Sequence, residues 1–583
     1  MSTTDLADAT SASAEDRIGT SRALAARAAD LRPAWKGLVA YLIYQALAFR
    51  VWVVPILPSF GENHLGNATQ DSNFYQWSLS WTPWAIAHGL DPLSSKLLFA
   101  PAGLNLAWTA FVPGPALVTS SITAVFGPLA SRNLLLAVAP ALAAWAAYLV
   151  CHRLTHAFWA SLAGGCLFGF SAYMATNMDG YINLVLIFPI PLLVYLVVRS
   201  VEGSLGRVAF VVAFAAALIG LFSISTELFG TAALLGSLAY GGALLFGSEL
   251  RRALLRTGAL ILIAGGIAAL VLAPYVWAVV EHAPADAVRQ PELARADLRA
   301  FIVPPPVTAV GEHVTISPVT ESVRGNGERY LGLASVAVLV GFAITERRRR
   351  STWLLLAFVV VVSAVALGPT LRVGAALVRW LPGRLLARAP LLSSVAPPRL
   401  TVYSLLVLAV IASLWLARAR GRWAWIRWAI VLAAVVTSFP GGLANPDQRP
   451  TPAFFSSVQM HDVIHPDEIV YAIPYTKGDE MRWQAASGFW FRLAEGFVGP
   501  LPPELDTGPI AHGLHVSTVS YLPTSYEFAT WIGEHGVTAV LLEDAAEKRY
   551  GDLLASAGLV RVSEGDGISV WRPATSAAPP GLG

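Results

Sequence analysis

Apolar runs separated by short arginine-bearing turns make up most of this chain. They lie at 37–57, 133–151, 157–174, 182–199, 207–222, 228–246, 257–279, 331–346, 352–368, 399–417 and 423–439. Each approaches the roughly 20 residues that a helix needs to cross a bilayer, so the pattern predicts about 11 spans. A further apolar stretch, 109–126, holds Pro113, Gly114 and Pro115 and follows a polar loop. It reads as a helix lying on or dipping into the membrane surface. Counting it as a span would move Arg153, Arg207, Arg251 and Arg252 to the wrong side. With it left out, those arginines, the ERRRR run at 346–350 and the ARARGR run at 417–422 all fall on one side. Arg17, Arg22, Arg27 and Arg32 precede the first span. The positive-inside rule therefore predicts a cytoplasmic N-terminus and, with an odd number of spans, a C-terminus outside the cytoplasmic membrane.

Beyond the last span the periodicity changes. DEIVYAIPY (467–475) and VTAVLLED (537–544) read as strands, 525–536 and 545–558 as helices, and LVRVSEGDGISVWRP (559–573) as a hairpin. The expected organisation is a disordered cytoplasmic tail at 1–34 and a transmembrane domain at 35–440 with a first outer loop at 58–132. A small extracytoplasmic α/β domain at 441–573 and a flexible tail at 574–583 complete it. The fold class is mainly α, a polytopic helical membrane protein with a small C-terminal α/β domain.

Composition supports this reading. Charged residues make up 13% of the chain, against about 25% in soluble domains. The net charge is +3 with no basic stripe, which excludes nucleic acid as a partner. The two cysteines, Cys151 and Cys166, fall at or within predicted spans, so a disulfide framework is not expected. No P-loop, dinucleotide fingerprint or GxSxG motif is present, which argues against a nucleotide-driven pump. The HxxxH pairs His152/His156 and His461/His465 lack the further ligands and geometry of a metal site.

The polar, aromatic stretch 58–105 of the first outer loop is too long for a simple connection. Within it, Asp71 is a candidate general base, since a carboxylate there could take a proton from an attacking hydroxyl. The alternative is that Asp71 merely caps the helix that follows. Tyr75, Trp77 and Trp81 follow at near-helical spacing, and their faces suit sugar rings or the membrane interface. Asp179 lies in a short outer turn and Glu227 where two spans meet, so both are candidate catalytic acids. Arg384 on an amphipathic stretch of the outer loop 369–398, Arg399 at the outer end of the span that follows, and Arg324 in the loop 280–330 are candidate ligands for substrate phosphate.

The stretches QDSNFYQWSLSWTPWAIAHG, FAPAGLNL, DGYINLVLIFPIPLL, FSISTELFG, ADLRAFIVPPP, RGNGERYLGL, LLSSVAPPRL and MRWQAASGFWFRLAEGFVGP sample nearly the whole chain. With them the chain resembles the GT-C superfamily of polytopic glycosyltransferases, and more narrowly the bacterial GT-C-like proteins of the YfhO type. The resemblance implies a hexosyl- or pentosyltransferase that takes its sugar from a polyprenyl phosphate. The acceptor would be a glycan or glycolipid hydroxyl, attacking with inversion at the outer face of the cytoplasmic membrane. It implies that Asp71 is the first-loop acid and that Asp179 holds the second-loop position. Many relatives carry a tighter acidic pair in the first loop. Here the other acids are Glu62 and Asp91, so which of them shares the role of Asp71 stays open. No cofactor is implied outright, and a divalent cation stays open. A transporter or flippase of a lipid-linked glycan is the alternative, as is a non-catalytic envelope assembly factor. A transporter would show internal repeats or paired broken helices, which the sequence does not display.

Overall fold

The structure is a computed structural model that describes residues 35–59, 64–66, 69–281, 296–314, 327–373, 376–378, 381–384, 395–441, 451–473, 478–498 and 523–574. The expected tail 1–34, Glu62 and Arg324 lie outside the described residues.

Among the described residues nine helices are long and apolar enough to cross a membrane. They are Trp35–Leu57, Ser120–Thr155, Phe158–Asn177, Ile182–Val201, Arg207–Ile224, Thr226–Phe246, Ser248–Glu281, Gly327–Glu346 and Pro397–Ala417. Two shorter apolar helices, Arg350–Ala366 and Ala424–Ser438, occupy the other two predicted runs. The stretch 109–126 does not form a span of its own. It holds the short helix Pro113–Val118 and the start of Ser120–Thr155, which is broken at Gly127 (φ 81°, ψ 167°). Pro113 suits the first position of a helix because its φ is already helical. A positive φ at Gly127, where a side chain would strain, turns the chain from a short helix into the long one. Val118, Val125 and Phe126 are exposed apolar side chains on this stretch.

The bundle closes through small residues. A Cβ added at Gly169 would sit 2.5 Å from Ala144 Cβ and 2.5 Å from Pro140 O. Close backbone approach of this kind supplies packing where lipid offers no hydrophobic drive. Leu262, Leu270 and Val208 on other helices are exposed, which marks the lipid-facing surface. The arginine-bearing turns between helices are tied by ion pairs. There Arg153 pairs with Glu202 at 2.5 Å and Arg418 with Glu346 at 2.9 Å.

The chain after the last apolar helix folds into a five-stranded mixed sheet. Across the sheet the strands run Arg492–Leu493, Ile469–Ile473, Ala539–Glu543, Ile568–Pro573 and Leu559–Gly565. The first three are mutually parallel; Ile568–Pro573 runs antiparallel to Ala539–Glu543, and Leu559–Gly565 antiparallel to Ile568–Pro573. Helix Ser525–Glu534 begins with a capping box between Thr524 and Glu527, and helix Glu547–Ser556 follows. The helix Asp479–Ala486, between the first two strands in sequence, was not foreseen from the periodicity.

One apolar core belongs to both the first loop and this domain. Phe74, Trp77, Trp81, Leu98, Phe99 and Leu104 pack with Phe454, Phe455, Trp483, Phe489, Phe491, Leu541 and Val570. Polar seams border it. Trp77 Nε1 donates to Gln484 Oε1 at 2.7 Å, and Gln484 Nε2 donates to Leu97 O at 2.9 Å. Backbone bonds join Ala100 N to Leu493 O (3.0 Å) and Leu493 N to Leu97 O (2.8 Å). The loop is also fixed to the bundle. Asn105 Nδ2 and Trp108 Nε1 each donate at 2.8 Å to Ala278 O and Val279 O, near the end of helix Arg251–Glu281. Those carbonyls have no intrahelical donor, so the loop supplies one. The two long loops meet in a three-stranded sheet, where Leu371–Val373 lies between Ala296–Asp297 and Ala376–Val378.

Two predictions follow from this packing. Gly169→Val overpacks the contact with Pro140 and Ala144 and costs about 1–3 kcal/mol; thermal unfolding of the detergent-solubilised chain should show a lower midpoint. In the domain, burial pushes the Glu480 carboxyl well above its ordinary range, and Asp479 and Glu495 add like charge. Between that ordinary range and the raised folded value, the folded chain holds a proton that the unfolded chain has lost. Stability therefore falls as pH rises through that window, by up to about 1.4 kcal/mol per pH unit. Glu480→Gln should flatten this slope and raise the melting midpoint at neutral pH, read by tryptophan fluorescence of the full chain.

Candidate active site

The site is built from the first turn of helix Gln70–Ala87 outward. Thr69 is the N-cap, its hydroxyl accepting Ser72 N at 3.2 Å. Asp71 therefore does not serve as the cap, as one reading of the sequence allowed. It stands at the second helical position, half-buried, where the positive end of the helix dipole favours a carboxylate. One turn on, the buried Tyr75 hydroxyl donates to Asn183 Oδ1 at 2.5 Å, tying this helix to the segment after Asp179.

Asp179 lies half-buried in the turn between helices Ala172–Asn177 and Ile182–Val185. The first loop lies directly on this turn. Gly66 has φ +89°, and a Cβ there would sit 2.4 Å from Met178 O and 3.3 Å from Asp179 Cα. The loop is held in that position from below. Arg132 Nη1 donates to Leu65 O at 3.1 Å, and Leu65 N donates to Asn133 Oδ1 at 3.0 Å. Arg132 is fully buried and lies within electrostatic reach of Asp179 and Tyr75.

Tyr181 marks where the pieces meet. Burial pushes its phenol up to about 12, and Asp71 and Asp179 add to that, while Arg399 opposes it. Asp71, Asp179, Glu328 and Arg399 all lie within electrostatic reach of this one ring. Four segments far apart in sequence, at 71, 179–181, 328 and 399, therefore converge on one polar junction.

Glu227 repeats the local geometry of Asp71. Ser225 caps helix Thr226–Phe246, accepting Leu228 N at 3.2 Å, and Glu227 is again at the second helical position. Its two oxygens are occupied, Oε1 by Ala396 N at 3.0 Å and Oε2 by Arg399 Nη1. Glu328 Oε1 stands 3.9 Å from Arg399 Nε. Arg399 is thus flanked by two carboxylates, all three side chains being mostly buried. Such a triad offers little positive charge to a phosphate, so the geometry makes Arg399 a partner of acids rather than a free clamp.

The aromatic expectation also changes. Trp77 and Trp81 are buried in the seam, stacked on each other at 5.2 Å between ring centroids and met edge-on by Phe489. They hold the domain and present no open face to a sugar. Arg384 is half-buried at the end of a short turn, Asp91 is exposed and accepts Leu93 N at 2.9 Å, and Arg324 lies outside the described residues. Among the described residues no three His, Cys, Asp or Glu side chains are grouped to hold a metal ion.

Sequence reasoning missed the domain's share. Asn73 Nδ2 donates to Asp479 Oδ1 at 3.0 Å, and Arg482 Nη2 donates to the same oxygen at 2.9 Å. The acids and arginine in the run DEMRWQ could have raised a flag, but nothing local shows that they reach Asn73. Arg132 was missed because it stands at the foot of a span, where an arginine reads as a flanking anchor.

No protein-family model and no curated protein matches the sequence. Solved structures do match in fold. The oligosaccharyltransferase of Archaeoglobus fulgidus, captured with a tethered acceptor peptide containing an NVT sequon, aligns at 12% identity. That alignment covers 89% of this chain and 70% of that one, with a TM-score of 0.51. The arabinofuranosyltransferase AftD from Mycobacteria aligns at 13% identity over 92% of this chain and 41% of its own, with a TM-score of 0.56. Both are GT-C glycosyltransferases, and the bundle, first-loop layer and C-terminal sheet of this chain have the GT-C-type fold.

Proposed function

We propose that the chain is a membrane glycosyltransferase that moves a sugar from a polyprenyl-phosphate donor to the hydroxyl of a glycan or glycolipid acceptor. Transfer proceeds with inversion on the outer side of the cytoplasmic membrane. The observation that carries this reading is the packing of the Asp71 helix and first loop on the Asp179 turn, through Tyr75–Asn183 (2.5 Å) and Gly66 against Met178 O, with both carboxylates in electrostatic reach of Tyr181. The GT-C-type fold supports the reaction class. The donor class and inversion come from the sequence resemblance, and the orientation from the arginine distribution.

In the proposed step the acceptor oxygen attacks the anomeric carbon opposite the leaving phosphate. A C–O bond to the acceptor forms as the C–O bond to phosphate breaks. The hydroxyl proton passes to Asp71, and the electron pair leaves with the lipid phosphate. Asp71 is suited to this as a half-buried carboxylate at the edge of the junction. Asp179, with Arg132 behind it, places fixed negative charge beside the developing oxocarbenium ion. The Tyr181 phenol, held in its protonated form at neutral pH, is a hydrogen-bond donor to a sugar or phosphate oxygen. Glu227 acts through Arg399, fixing the outer end of helix Pro397–Ala417. Arg384 and Arg324 remain the candidate phosphate ligands.

Asp71→Asn in nanodisc-reconstituted protein should lower transfer by about 10²–10⁴-fold while donor binding persists. The assay is transfer from polyprenyl-phosphate hexoses and pentoses to octyl glycosides. Undiminished transfer by the variant would remove Asp71 as the base. Asp179→Asn should lower kcat with little change in the acceptor KM, since its charge acts on the transition state.

A further inference from the structure

The turn that carries Asp71 is joined to the C-terminal domain by a buried chain of side chains that the proposed reaction does not itself use. Asp479 Oδ1 accepts both Asn73 Nδ2 (3.0 Å) and Arg482 Nη2 (2.9 Å). Asn73 Oδ1 accepts Gln76 Nε2 at 3.2 Å, and Gln76 Nε2 lies 2.9 Å from His64 Nε2. Arg482, Asp479, Asn73, Gln76 and His64 are all buried.

The chain has a direction. A carboxylate only accepts, so Asp479 fixes the Asn73 amide with its nitrogen toward the domain and its oxygen toward Gln76. Gln76 must then offer its NH2, which also points at Ser72 O at 3.4 Å. In this arrangement His64 Nε2 is the acceptor. Reversing any one amide sets two donors or two acceptors against each other.

The chain passes through the helical turn of Asp71 and ends beside the segment that lies on the Asp179 turn. Asn73 is in the same helical turn as Asp71, and Gly478, next to Asp479, approaches that turn's backbone. A Cβ at Gly478 would sit 3.4 Å from Gln70 O. At the other end His64 adjoins Leu65 and Gly66, the segment that lies on the Asp179 turn.

We infer that Asp479, Asn73 and Gln76 form a positioning relay through which the C-terminal domain sets the placement of Asp71 relative to Asp179. The domain is then a working part of the transferase rather than an appendage. The inference rests on the glycosyltransferase reading. The relay residues are positioning residues, since none is assigned contact with substrate. Displacement of a reacting group by about 1 Å can cost on the order of 10²-fold in rate.

The test compares Gln76→Glu and Asp479→Asn with Phe489→Leu in full-length protein in nanodiscs. Gln76→Glu sets an acceptor against Asn73 Oδ1, whereas Phe489→Leu loosens the same seam without touching the relay. With the polyprenyl-phosphate sugar that the wild type consumes, the relay variants should lose about 10–100-fold in kcat with the donor KM within about threefold. Amide hydrogen exchange should rise at 64–66 and 178–182 as well as at the seam. Phe489→Leu should lower the melting midpoint while kcat stays within about threefold and exchange at 178–182 is unchanged. Relay variants that behave like Phe489→Leu in kcat or in exchange would overturn the relay. A wild type that consumes no donor sinks the glycosyltransferase reading instead, and the exchange data still decide whether the domain and the Asp179 turn are coupled. If Gln76→Glu does not yield folded protein, Gln76→Met and Asn73→Ser give the same two readouts.

Discussion

A single apolar core shared by the first loop and the C-terminal domain is the constraint on which the rest depends. Trp77 and Trp81 lie within it, almost wholly removed from water. Burying a large aromatic or aliphatic side chain contributes about 1.5–3 kcal/mol. The loop alone, on the surface of the bundle, could not bury these rings; the domain's Phe455, Trp483, Phe489 and Phe491 complete the enclosure. Helix Gln70–Ala87 is therefore held as rigidly as a core element although it belongs to a connection between spans. Loops of that rigidity, set on a scaffold, are where binding and catalytic groups concentrate. The consequence for Asp71 is direct, since its helix cannot move without opening the seam.

The second constraint is charge in a place of little water. Asp71, Asp179, Glu227 and Glu328 crowd one junction, and acids so placed require compensation. Arg399 bridges Glu227 and Glu328, and Arg132 sits beneath Asp179. Both arginines also hold backbone in place. Arg132 grips Leu65 O, and Glu227, held by Arg399, accepts Ala396 N. The arginines of the junction therefore shape it and offset part of its negative charge. The twin geometry of Asp71 and Glu227, each at the second position of a helix capped by Thr or Ser, shows one local device serving two ends. Asp71 is half-buried at its position, and Glu227 binds Ala396 N and Arg399 through its two oxygens.

Much of the architecture was legible in the sequence because its determinants are local. Run length and hydropathy marked the membrane helices, and the arginine distribution with Pro113, Gly114 and Pro115 indicated that 109–126 is not a span of its own. Turn chemistry and the change of period marked the hairpin Leu559–Gly565 and Ile568–Pro573 with the helices before it. An acid in an aromatic loop and another in a short turn stood out as Asp71 and Asp179 because such residues are rare near a bilayer. The same local view misjudged Trp77 and Trp81. An aromatic stripe on a helix looks alike whether it faces a ligand, lipid or another domain, and only the partner surface distinguishes them.

The sequence by itself therefore determined the layers of this protein: a helical membrane body, an aromatic first loop and a small α/β domain. It determined them because helical period, span length and turn residues act over a few residues at a time. Only the tertiary structure decided which groups share a site. Tyr75 meets Asn183 across 108 residues, Glu227 meets Arg399 across 172, and Asn73 meets Asp479 across 406. No periodicity encodes such pairings. They arise when the buried surfaces of loop, bundle and domain close together and leave each polar group to find its partner inside.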